Sequence, residues 1–191
     1  MNFFLKKEKV SLIIIFSILI IVSVPNFILS LLRARDQVRR DDMGVLEDSL
    51  SQYYEEFGSF PLSSTDGQIM DCLKPGDAPY QNDKGIWIID AIACVWGKDA
   101  LKNLITGRTY MTTLPRDPHG DKGVSYLYLS DGERYQLYGA MEGEKEDEVN
   151  PKIISKNLHC GNKICNIGRF YNCDIVKTID ECAREEAAMM Q

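Results

Sequence analysis

The chain has 191 residues, room for one compact domain with accessories, and its apolar share of 45% is ordinary for a protein that buries a core. A formal net charge of -6 and a pI near 5.0 argue against a nucleic-acid binder, which needs a basic face to meet phosphate. From the N-terminus, a basic stretch at residues 1–9 precedes 23 residues, 10–32, that carry no charge and are mostly Ile, Leu, Val and Phe. A helix of that length reaches about 35 Å, enough to cross a hydrocarbon layer of about 30 Å. A secretory signal has an apolar core of only about 7–15 residues followed by a small-residue cleavage site, and no such site stands out here. Residues 10–32 therefore read as a transmembrane helix whose partner is membrane lipid.

Lys6, Lys7 and Lys9 precede the span and Arg33, Arg35, Arg39 and Arg40 follow it, so positive charge alone does not set its orientation. Cysteine usage does. Cys72, Cys94, Cys160, Cys165, Cys173 and Cys182 are an even set, all downstream of the span, which suits an oxidising exterior. The expected arrangement is a single-pass protein of the cytoplasmic membrane with its N-terminus inside and the rest exported.

Residues 33–57 predict a helix with one apolar stripe, because Met43, Leu46, Leu50, Tyr53 and Phe57 are spaced three, four, three and four. That stripe should dock a small head, while Arg40, Asp41, Glu47, Asp48 and Glu55 face away. Nothing between Leu32 and Arg33 signals a break, so one continuous helix of roughly 45–50 residues, about 70 Å long, is the simplest construction. Pro25 lies inside it and should kink or locally open it. Gly58 and Pro61 then supply a C-cap and a stop.

Residues 62–83 are a connecting region rich in Ser, Gly, Pro and Asp. Residues 86–96 and 99–105 turn apolar again and read as short helical pieces, with strand equally compatible for 86–94. Residues 124–129 and 134–141 form a β-hairpin around Ser130-Asp131-Gly132-Glu133. Its tyrosines Tyr126, Tyr128, Tyr135 and Tyr138 should pack on the long helix or line a sheet face. Residues 142–148 are an acidic, solvated loop, and 152–155 read as a third strand. Head residues 33–155 are followed by a cysteine-rich appendage, 156–191, in which Thr178-Ile179-Asp180-Glu181 is a capping box opening a helix that contains Cys182. The fold class is α+β, a long N-terminal transmembrane and amphipathic helix packed on a small antiparallel sheet, with a disulfide-rich C-terminal tail.

The favoured disulfides are Cys72 with Cys94, Cys160 with Cys165 and Cys173 with Cys182, although the last four cysteines alone permit three arrangements. A zinc site from His159, Cys160, Cys165 and Cys173 competes with them, its spacings loose. His119 and His159 are the only histidines and neither belongs to a hydrolase, kinase or zincin pattern. No catalytic residue is assigned, and the chain reads as a binder or builder.

Several motifs, in order, resemble a known family. Ala34-Arg35-Asp36, Tyr53-Tyr54 and Phe57-Gly58-Ser59-Phe60-Pro61 resemble the ARD...YY..NG.YP pattern of type II secretion pseudopilins. Leu114-Pro115-Arg116-Asp117-Pro118-His119-Gly120 is similar to their LP.DPWG loop with His for Trp, and 126–138 to the Y.Y.SDG..Y.LY hairpin that follows. Pro25-Asn26 matches the pair inside the family's N-terminal helix. The resemblance covers residues 10–141. It implies a pilin-like, lollipop-shaped subunit of a type II secretion or type IV pilus filament, whose partners are other pilin-like subunits and the secretion or pilus assembly machinery. It also implies candidate calcium ligands, Asp117 and Asp121, and no other cofactor; a basic collar at 33–40 would face acids on a neighbouring subunit.

The pattern departs at its start. The family's processing glycine is missing, the first glycine being Gly44, and Glu8 stands seventeen residues before Pro25 between Lys7 and Lys9. A second reading therefore stays open, an unprocessed, singly anchored extracytoplasmic binding protein that keeps a pilin-like head.

Overall fold

A computed structural model describes residues 6–143 and 148–189; the first five residues of the expected cytoplasmic stretch and residues 144–147 of the acidic loop lie outside the described residues. The fold is α+β, and one helix dominates it. Helix α1 (Lys6–Phe57) is 52 residues long, about 78 Å at the standard rise. Its apolar first half, residues 10–31, is exposed almost throughout, and it is long and apolar enough to cross a membrane. The polar side chains in that half bond within the helix: Ser17 Oγ donates to the Ile13 carbonyl at 2.8 Å and the Asn26 amide to the Val22 carbonyl at 3.1 Å. Such local pairing is what hydrocarbon demands of a hydroxyl or amide. Helical backbone continues through Pro25, so the opening expected there does not interrupt the helix.

Gly58, at φ +69°, ends α1 and donates its N–H to the Tyr54 carbonyl at 2.7 Å. The chain then crosses the head in short antiparallel pieces. β1 (Leu62–Ser63) pairs with β2 (Ile69–Cys72), β3 (Tyr80–Gln81) with β4 (Trp87–Ile88), β5 (Ile92–Ala93) returns to β2, and β6 (Leu101–Lys102) pairs with β7 (Thr109–Met111). The helical pieces expected at 86–96 and 99–105 are therefore strands and turns. Their apolar runs are too short to sustain a helix, and the side chains of Asn82 and Asn103 each accept two nearby backbone N–H groups to make tight turns instead.

The main sheet has the order β12-β9-β8, built from β8 (Leu127–Ser130), β9 (Tyr135–Gly139) and, after α2 (Pro151–Ser155), β10 (His159–Cys160) and β11 (Lys163–Ile164), the late strand β12 (Ile167–Tyr171). Asp131 Oδ1 accepts the N–H groups of Glu133 and Arg134, closing the hairpin that Asp-Gly predicts. The third strand is β12 and not residues 152–155. Pro151 and the Asn150 side chain, which accepts the Lys152 N–H, start α2 there.

β9 is buried at every position because the sheet is covered on both faces. Tyr135 and Leu137 join Tyr126 and Tyr128 in the core under α1. Tyr138 and Ala140 point the other way, into a second core with Ile153, Ile175 and the Cys160–Cys165 bridge. Residues 156–191, expected as an appendage, thus supply both the sheet's edge strand and the cover of its second face, ending in α3 (Ile179–Met189). The buried Gln136 amide stitches them on, donating to the carbonyls of Asp174 and Lys177 at 2.9 and 2.8 Å.

Candidate functional site

Where α1 leaves its exposed half and meets the head, its docked face is charged. Asp36 and Arg39 lie three residues apart, and Arg39 lies four before Met43, so both continue the apolar stripe toward the exposed half of α1. Each is 1% exposed. Arg39 is the hub. Its Nε and Nη2 donate to the two oxygens of Asp117 at 2.8 and 3.0 Å, and its Nη1 donates to Asp36 Oδ1 at 2.8 Å and Glu142 Oε1 at 2.9 Å. Four of the five guanidinium N–H groups are used in a low-dielectric site, a planar bidentate geometry that lysine does not reproduce.

Each acid in turn positions backbone. Asp117 Oδ1 accepts the His119 N–H at 2.7 Å, shaping the turn that leads into the short 3₁₀ segment Gly120–Lys122. Asp36 accepts the N–H groups of Glu142 and Gly143, both at 2.9 Å, and so ties the segment after β9 to the helix. Glu142 takes a second fork from Arg35, at 2.7 and 2.6 Å, with His119 Nδ1 at 3.4 Å. Those Arg35 hydrogen bonds, with help from Arg39, hold the Glu142 carboxyl well below the usual range, at about 2. Burial alone would lower Arg39, yet its Asp117 and Glu142 bonds raise it above the ordinary arginine value. Tyr126 donates to Asp42 at 2.6 Å one turn further on, and burial pushes both groups up.

Three arginines of the basic collar thus find acids within their own chain, and Arg33 stands exposed. Arg35 and Arg39 pair with Glu142, Asp36 and Asp117, and Arg40 with Glu148 at 2.6 Å. Glu142 and Glu148, expected as plain solvated surface, are half of that pairing.

Met43, Leu46, Leu50 and Tyr53 are buried against the head, and Phe57 is partly buried beside them. Tyr53 stacks on Phe57 at 4.4 Å and tilts against Tyr110 at 5.5 Å. One carboxylate enters this apolar end. Asp71 is 4% exposed, accepts the Tyr53 hydroxyl at 3.3 Å through Oδ1, and leaves Oδ2 without a partner among the described residues. Burial pushes its carboxyl up to about 7.

All six cysteines are bridged, Cys72–Cys94, Cys160–Cys165 and Cys173–Cys182, so no thiolate remains for the alternative zinc site with His159. Asp117 and Asp121 do not fit calcium as folded. Both Asp117 oxygens already serve a cation, Arg39, and Asp121 stands exposed on the 3₁₀ turn. Among the described residues no group of three or more His, Cys, Asp or Glu side chains comes together to hold a metal ion. The ion network itself escaped the sequence reading, although ARD and DP.G were both visible. The usable signal was register, since Arg39 falls on the same face as Met43. Compared with protein-family models, curated proteins and solved structures, the chain finds no match.

Proposed function

We propose that the chain is a structural, membrane-anchored subunit of pilin-like kind, a pseudopilin of a type II secretion system or a type IV pilin, with its N-terminus in the cytoplasm and its head outside. One observation carries the reading. A single helix is apolar and exposed in its first half, and in its second half docks a small α+β head along one stripe. Apolar side chains exposed on every side of a helix need lipid or other helices around them. The bridged cysteines support an exported head. A bundle of such helices would form a filament core with the heads outside.

A second reading is an anchored extracytoplasmic binding protein that keeps the same head and does not polymerise. The collar favours it, because Arg35, Arg39 and Arg40 find their acids within their own head. Intact mass of the membrane-extracted native protein, with negative-stain microscopy of sheared cell surfaces, separates the two. A shortened N-terminus together with filaments containing the protein supports the subunit; full length without filaments supports the anchored binder. Failure of the protein to fractionate with membranes overturns both.

A further inference from the structure

Beside the ion network a cleft opens that the network does not fill. It encloses about 580 Å³, and its walls include Leu32, His119, Glu142, Ile154, Lys163 and Ile164. Leu32 is the last residue of the apolar run, which fixes the cleft's height. Arg39, also on its wall, lies seven residues further along α1, about 10 Å at the helical rise. A bilayer's headgroup layer is roughly 5–8 Å thick on each side of its hydrocarbon. With the span in place, the wall of the cleft at Leu32 therefore borders that layer.

We infer that this cleft seats a phospholipid headgroup, an inference that rests on the membrane-anchored reading above. Ile154 is 43% exposed, and Ile164 is half-buried on β11. With Leu32 they offer an apolar wall to the glycerol and the first methylenes of the acyl chains. Lys163 is exposed and makes no ion pair among the described residues, leaving its ammonium for the phosphodiester. The acid on the wall does not repel that phosphate strongly, because Glu142 is held by both Arg35 and Arg39. Arg33, exposed immediately after Leu32, reaches the same layer by the stem-and-tip habit of long basic side chains. Gly161, at φ +68°, lets the β10–β11 turn that leads to Lys163 lie directly on the 119–124 segment, where an added Cβ would overlap the Gly123 carbonyl. The basic residue is thus presented by a braced turn.

The test places the full chain, one copy per disc, in phosphatidylcholine nanodiscs with and without a third of phosphatidylglycerol, and in maltoside micelles, which carry no phosphate. Amide hydrogen exchange is read at residues 153–157 and 159–164. Exchange in the discs should be slower than in maltoside by at least about fivefold, more so with phosphatidylglycerol. Lys163→Glu combined with Ile154→Glu should abolish that difference, and Lys74→Glu, an exposed lysine elsewhere on the head, should leave it intact. Intact mass before and after reduction checks that each variant keeps its three disulfides. Chains that insert but exchange equally in discs and maltoside overturn the headgroup site alone, as does protection that survives the double variant. Chains that fail to enter discs overturn the anchored reading with it.

Discussion

At Arg39 the docked helix meets the head through a buried cation whose partners are three carboxylates. Fourteen residues on, at Tyr53, it meets the same head through stacked rings and a carboxylate with one oxygen unpaired. Both ends fix the helix. The first does so by sharing its cation among hydrogen-bonded carboxylates, and the second tolerates a carboxylate with an unpaired oxygen because apolar burial around it is large. A paired buried charge is costly to break and modest in net worth, whereas an orphaned carboxylate costs stability whenever it ionises.

Four measurements sharpen or break that contrast. Arg39→Met should have the largest effect, because it leaves Asp36 and Asp117 buried without their cation, and a loss of about 3–5 kcal/mol in denaturant unfolding of the head is expected. A loss under about 1 kcal/mol would show that the acids find other partners. Asp71 should come next, through pH. Its folded value of about 7 lies above the ordinary 3.8, so the stability present below pH 4 is lost as pH rises through 7, on the order of 4 kcal/mol. Asp71→Asn should flatten that limb and stabilise the head at pH 8. Glu142 has the opposite sign: with its folded value near 2, its contribution is present above pH 4.5 and is lost as pH falls toward 2. Glu142→Gln should remove this acid limb while leaving the Asp71 limb in place. The smallest effect belongs to Arg40→Gln, whose Glu148 partner is 47% exposed, and a change within about 1 kcal/mol is expected by thermal unfolding.

The distal end was legible in the sequence, and the proximal end was not. Met43, Leu46, Leu50 and Tyr53 announce a buried stripe because apolar spacing is the signal that periodicity reads. Arg35, Asp36 and Arg39 occupy the same face, yet charge is read as exposure by default, and their partners Asp117 and Glu142 are 78 and 103 residues from Arg39. Asp71 sits in a four-residue strand of mixed polarity, and nothing local marks it as buried. The β-hairpin and the C-terminal helix were visible through turn and cap chemistry, which is local. Strand β12 was not, because Ile167–Tyr171 earns its place by pairing with β9, nearly thirty residues earlier in the chain.

That late pairing has a consequence for how the head matures. The disulfide partners are 22, 5 and 9 residues apart, so each bridge can close soon after its second cysteine emerges. The central strand, in contrast, waits. If the head is threaded out from its anchored end, β9 is paired with β8 but keeps one open edge until β12 has followed, and through that interval the edge can pair with any passing strand. Export would thus be the chain's most vulnerable moment, and truncation before Ile167 should yield a species that aggregates even with its first two bridges intact.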